Sequence, residues 1–120
     1  MNKAILIGRI GKTIELQQLP SETLFARCSL ATSESYKDKE SGDWQDATEW
    51  HHLVFWRTNA ENASKVLQKG DLVSIEGNIK NRHWKDDNGI DRNMSEIHVH
   101  RFDKLVWKKS EIPTPQEPAI

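Results

Sequence analysis

The sequence has a single cysteine, Cys28, so no disulfide can close within the chain and a reducing, cytoplasmic setting fits. Cys28 shares a strand face with Leu24, Ala26 and Leu30, and that pattern reads it as a small buried hydrophobe. No apolar run approaches the length of a membrane span, so no membrane partner is expected. Met1-Asn2-Lys3 leads into Ala4-Ile5-Leu6-Ile7, too short and wrongly flanked for a signal peptide. Charge of one sign is also lacking, with 17 Lys and Arg against 18 Asp and Glu. That balance argues against holding duplex DNA by bulk charge, but not against charges segregated by face. His98 and His100 share a strand face and His51 and His52 oppose each other, yet no cysteine pair is present to complete a zinc site, so no metal or other cofactor is expected. Asp86 and Asp87 sit in a turn rather than across a cleft. With no nucleophile motif and no phosphate-cradling glycine loop, enzymatic activity is not expected.

What the chain has is tryptophan, five in 120 residues, and one stretch that uses two of them. In Thr48-Glu49-Trp50-His51-His52-Leu53-Val54-Phe55-Trp56 a period of two puts Leu53 and Phe55 on a core side. Trp50, His52, Val54 and Trp56 then form an apolar shelf on the other, the kind of surface a soluble domain seldom leaves without a partner.

The rest of the chain arranges itself around that strand. Lys3 to Arg9 reads as a strand buried on much of both faces, bent where Gly8 and Gly11 allow a sheet to curl. Thr13 to Leu19 continues extended, Pro20-Ser21-Glu22 turns, and Leu24 to Glu34 alternates as a second strand. Residues 37–46 read as a polar hairpin loop in which Trp44 can be packed or exposed. After Trp56, Thr58-Asn59-Ala60-Glu61 has capping-box form, with Ala60, Ala63, Val66 and Leu67 on one helical stripe and Gly70 at the C′ position. Asp71 to Trp84 is the next strand, with Val73, Ile75, Gly77 and Ile79 on one side and Glu76, Asn78, Lys80, Arg82 and Trp84 on the other, barring a bulge near Gly77. Asp86-Asp87-Asn88-Gly89 is a hairpin turn. Ile90 to Phe102 pairs back, with Ile97 and Val99 inward and His98 and His100 outward. Leu105-Val106-Trp107 reads as a short last strand or end segment. Three of the four prolines follow Glu111, and the tail is expected to be disordered. The domain is placed at residues 1–109 and the tail at 110–120.

The expected fold is all-β: a five-stranded antiparallel OB-fold barrel with one short helix between strands 3 and 4 and long hairpin loops. A plain β-sandwich is the rival, and would not need the helix there. A protein that holds unpaired nucleic acid without reading sequence needs ring platforms and a basic track. Trp50 and Trp56 on one strand, Lys80, Arg82 and Trp84 on the next, and Tyr36 beside Lys37 and Lys39 have that composition. Burial as ordinary core or as a dimer interface is the competing role for the same rings.

Several stretches in one register resemble bacterial single-stranded DNA-binding proteins: Met1 to Gly11, Ser29 to Tyr36, Thr48 to His51, Asp71 to Gly77, Arg82-His83-Trp84 and Gly89 to Arg92. The resemblance runs to about residue 104. It implies base-stacking roles for Tyr36, Trp50, Trp56 and Trp84, with tryptophan common at position 36 and phenylalanine at position 56 in the family. Basic contacts to the strand fall on Lys3, Lys69, Lys80, Arg82 and Arg92, and His51 falls near a subunit contact. The resemblance further implies a homotetramer, single-stranded DNA as partner, roles in replication, recombination and repair, and a bacterial, nucleoid-associated location.

The chain departs from the family pattern at Gln17, Thr58 and His83, where basic residues are frequent, and at Asn93, where an aromatic is frequent, while Arg57 adds a charge beside Trp56. Ser110 to Ile120 is short and weakly acidic where the family carries a long linker and an acidic tip, which weighs against recruiting partners by that route. The alternative function is an OB-fold accessory module, primosome-like, that binds proteins and touches nucleic acid weakly.

Overall fold

The computed structural model describes residues 1–105; most of the end segment at Leu105-Val106-Trp107 and the whole 110–120 tail lie outside the described residues. The chain runs β1 (Ala4–Ile10), β2 (Glu15–Gln18), β3 (Leu24–Lys37), β4 (Trp44–Trp56), α1 (Thr58–Val66), β5 (Leu72–Lys85) and β6 (Asp91–Lys104). Five of these strands close a barrel in the order β1-β5-β6-β4-β3, and β1 seals it against β3 through Arg9↔Ala31 and Ile10↔Leu30. The short β2, within the stretch expected only to be extended, adds to the outer edge of β3. The expected OB barrel is present, with the helix between its third and fourth strands.

The all-antiparallel arrangement is not. β4 and β6 run parallel where His52, Leu53 and Val54 meet Glu96, Ile97 and His98. A closed ring of five strands cannot alternate direction throughout, so one parallel contact is forced, and it falls between the two hairpins.

Alternation fills the barrel with Ile10, Leu30, Leu53, Phe55, Val73 and Ile75, all fully buried, and Phe102 meets the Phe55 ring edge-on at 5.4 Å. The alternation expected along β5 and β6 is interrupted by a bulge, Glu76↔Arg101 followed by Gly77↔Val99, which leaves His100 unpaired on β6. The extra residue shifts the inward set of β6 from Ile97 and Val99 to Phe102. Gly77 permits the close approach, since a Cβ there would lie 2.2 Å from the His98 carbonyl oxygen.

Two local expectations are corrected. Thr58 is the first helical residue rather than the cap; Arg57 is the N-cap, at φ 53°, and no side chain caps the helix. The Arg57 carbonyl accepts the Glu61 N–H, so the backbone turn serves the donor that Thr58 was expected to serve. The helix also ends at Val66, with Leu67 extended; Gly70, at φ 91°, belongs to the following turn, where its N–H donates to the Ile10 carbonyl. Ala60, Ala63 and Leu67 pack on the core as expected, whereas Val66 is exposed. The 37–46 loop is tighter than expected, because β3 and β4 stay paired out to Lys37↔Trp44 and form a ribbon.

Candidate nucleic-acid interface

The outward faces of β3, β4, β5 and β6 form one continuous groove. Cross-strand register joins Phe25↔Trp56, Arg27↔Val54, His52↔Glu96, Lys80↔Glu96, Arg82↔Met94 and Trp84↔Arg92. Every member follows from period-two alternation: while Leu53, Phe55, Ile97 and Val99 fill the barrel, their neighbours must point to the groove.

Three indoles lie here, each half-buried. The Trp50 ring rests on Gly11, where a Cβ would lie 2.4 Å from Cζ3. The Trp56 ring is tilted 38° against Phe25 at 5.8 Å, and its Nε1–H donates to His98 Nδ1 over 3.0 Å. Arg82 places its guanidinium 4.3 Å from the centre of the Trp84 ring, a cation–π contact that covers one face. A cleft of about 570 Å³ runs between Trp56, Arg57, Asn59, Asn78, Lys80 and His98. A second, of about 210 Å³, is lined by Lys12, Arg27, Ser29, His52, Arg82 and Glu96.

Glu96 is the unexpected member. It is 4% exposed, at the floor of the groove. Its Oε2 lies 3.4 Å from Arg82 Nε and 3.9 Å from Arg27 Nε, and its Oε1 lies 3.6 Å from His98 Nε2. Arg82 Nε is buried without a hydrogen bond, so its link to Glu96 is an ion pair rather than a bond. Both guanidiniums thus converge on one buried carboxylate, and each remains partly exposed. Burial holds His98 below the usual histidine range against the pull of Glu96, while Lys80 and Arg27 push the same way as burial.

What this arrangement can do is hold flat rings between planar side chains and meet anions along their edge. It has no pair of carboxylates across a cleft, and among the described residues no group of three or more His, Cys, Asp or Glu is placed to hold a metal ion.

A model of the single-strand binding protein family matches residues 1–105. The chain belongs to that family. The Plasmodium falciparum SSB, solved in complex with ssDNA, is similar at 30% identity and a TM-score of 0.75, over 86% of this chain and 91% of that one. A deletion mutant of the single-stranded DNA binding protein from Thermus aquaticus has the same fold, with a TM-score of 0.75 at 24% identity over 88% of this chain and 51% of that one.

Trp50, Trp56, Trp84, Lys80 and Arg82 come together in the groove. Arg92 reaches its rim, with Nε 3.0 Å from Asp86 Oδ2; backbone N–H from Ile90 and the Arg92 bond hold that carboxyl below its usual range. Tyr36 is 53% exposed out on the ribbon, and the unbroken β3–β4 register gives it the parity opposite to Trp50. Trp44 has the Trp50 parity and is 72% exposed, but residues 33–49 carry six acids against two lysines. Lys3 pairs with Glu76 at 2.7 Å, on the side of the barrel where β1 meets β5. Lys69 is exposed in the loop between α1 and β5, on none of the groove strands. His51 points away from the groove, half-buried, its Nε2 2.8 Å from Thr32 Oγ1; burial lowers its pKa.

Sequence reasoning missed Phe25, Arg27, Lys12, His98 and Glu96 as groove residues. Phe25 and Arg27 were within reach, since alternation with Ala26 and Cys28 already turned them outward. Glu96 was not: its alternation is that of a solvent-facing acid, and its burial comes from side chains on three other segments.

Proposed function

We propose that the chain binds single-stranded DNA with little regard for base sequence, stacking bases on Trp50, Trp56 and Trp84 and meeting phosphates with Lys80, Arg82 and Arg27. One observation carries this reading: three half-buried indoles on β4 and β5, the two strands that flank β6, share a groove with cations while the barrel beneath is closed. Each base–ring stack contributes on the order of 1–3 kcal/mol, so three give useful affinity without reading a base edge. In this reading the protein protects exposed strands and melts hairpins by mass action during replication, recombination and repair, in the cytoplasm of a bacterium. It works as a binding protein, not a catalyst.

Assembly as a homotetramer is part of the proposal. Ile5 and Ile7, 64% and 59% exposed on the outward face of β1, suit contact with other copies, and His51 is assigned a structural role near such a contact. Titrating poly(dT) should quench tryptophan emission, with affinity falling as salt rises. Unchanged emission at low salt from folded protein would reject the reading. Mass measurement with and without a long oligo-dT reads the assembly.

A further inference from the structure

The hydrogen bond from Trp56 to His98 constrains more than one ring. The indole Nε1–H can only donate, so His98 Nδ1, 3.0 Å away, must carry a lone pair. Neutral His98 is then protonated on Nε2, which faces Glu96 Oε1 at 3.6 Å. Glu96 is in turn buried at 4% exposure and braced by Arg82 and Arg27. Indole, imidazole, carboxylate and two guanidiniums thus form one chain across β3, β4, β5 and β6.

We propose that Glu96 is a positioning residue for Trp56: acting through His98, it selects the tautomer that accepts the indole N–H, and it thereby makes the set of this stacking ring depend on the protonation of His98. The proposal rests on the stacking role assigned to Trp56 above. A second proton on His98 can only go to Nδ1. Two N–H groups then face each other, the Trp56–His98 bond is lost, and the imidazolium stays tied to Glu96. The ring walls the cleft of about 570 Å³, which gives it room to turn. Asn78 Oδ1, buried without a partner beside the same cleft, is an acceptor for the displaced N–H.

The groups facing His98 divide into two camps. Glu96 on its own strand favours the imidazolium, while Lys80 on β5 and Arg27 on β3 oppose it, as does burial. Arg57 after β4 and His100 on β6 line the same cleft.

The test compares wild type with Trp56→Phe, which keeps a ring and removes the donor. Affinity for a labelled oligo-dT is measured from about pH 8 to about pH 5. Protonating His98 also adds attraction for phosphate in both proteins, so the ratio is read between the limits where His98 is neutral in both and protonated in both, and there the added charge cancels. Loss of one hydrogen bond, about 1 kcal/mol, should lower the ratio of wild-type to Trp56→Phe affinity about 5-fold on acidification. Glu96→Gln removes the group that favours the imidazolium, so the midpoint of that fall should move to lower pH. A ratio flat with pH overturns the proposal, and an unmoved midpoint removes Glu96 from it. Nitrogen NMR of the DNA-free wild type covers the case in which Glu96→Gln does not fold. It should find His98 protonated on Nε2 near neutral pH, with the Trp56 indole signal following the His98 titration; protonation on Nδ1 would refute it. Trp56→Ala at about pH 8 separates the two layers: undiminished binding there sinks the stacking role, whatever the His98 tautomer.

Discussion

Gly11 lies where a substitution can disturb the Trp50 ring, proposed above as a stacking platform, without touching DNA. Its N–H donates to the Ser29 carbonyl over 2.9 Å, and the edge of the Trp50 ring lies directly over it. A Cβ at this position would sit 2.4 Å from Trp50 Cζ3, 2.6 Å from Ser29 Oγ and 3.1 Å from Trp50 Cη2. Ordinary carbon contacts need about 3.5–4.0 Å, so something must retreat by about 1 Å. Ser29 is 3% exposed and boxed in, so the half-buried indole gives way. A gap of about 0.5–1 Å forfeits a quarter to a half of a dispersion contact. Applied to a stack of about 1–3 kcal/mol, that is about 0.25–1.5 kcal/mol, or roughly a 1.5–13-fold loss of affinity for Gly11→Ala. Fluorescence titration with oligo-dT reads it, and a thermal melt checks the fold. The loss should vanish in a Trp50→Ala background, because the ring is the intermediary. Gly11→Ala with wild-type affinity, or an equal loss when Trp50 is already absent, would refute the reasoning.

Gly77→Ala should act on stability instead, by roughly 3 kcal/mol in chemical denaturation, because the obstacle at 2.2 Å is the His98 backbone carbonyl within a paired strand. Arg82→Ala should weaken single-strand binding, lower the salt slope by about 1, and lower the melting temperature, since it uncovers Trp84 and leaves buried Glu96 with fewer counter-charges. His51 and His98 are both held below the ordinary histidine range, first by burial, so the unfolded chain takes up protons before the folded one does. Stability is therefore complete above about pH 6.5 and declines as pH falls from there toward the folded-state values, which urea midpoints across that range will record. Trp44→Ala should change oligo-dT affinity by less than about twofold, because the acids around that ring repel the phosphates that a base there would bring.

The features legible along the chain were those that alternation alone decides. Trp50 and Trp56 opposite Leu53 and Phe55, and Lys80, Arg82 and Trp84 on one face, follow from counting by two along strands of adequate length, whereas the bulge at Gly77 interrupts that count. The helix between the third and fourth barrel strands was legible from the spacing of Ala60, Ala63 and Leu67, but its ends were not. Arg57 turns back through positive φ, and its own carbonyl meets the donor that a side-chain cap would have met. Tyr36 lies out on the β3–β4 ribbon, where the register gives it the opposite parity from Trp50, a relation that its own stretch of sequence does not display.

The amino-acid order by itself determined most of which residues face in and which face out, because side-chain direction alternates along a strand wherever no bulge intervenes. Tertiary structure decided who meets whom across the groove. Closure of five strands forced β4 alongside β6, and that contact placed His98 against Trp56 and buried Glu96 among arginines from two other strands. Burial and pairing of that kind are properties of the space between strands, and no local pattern in any one of them encodes it.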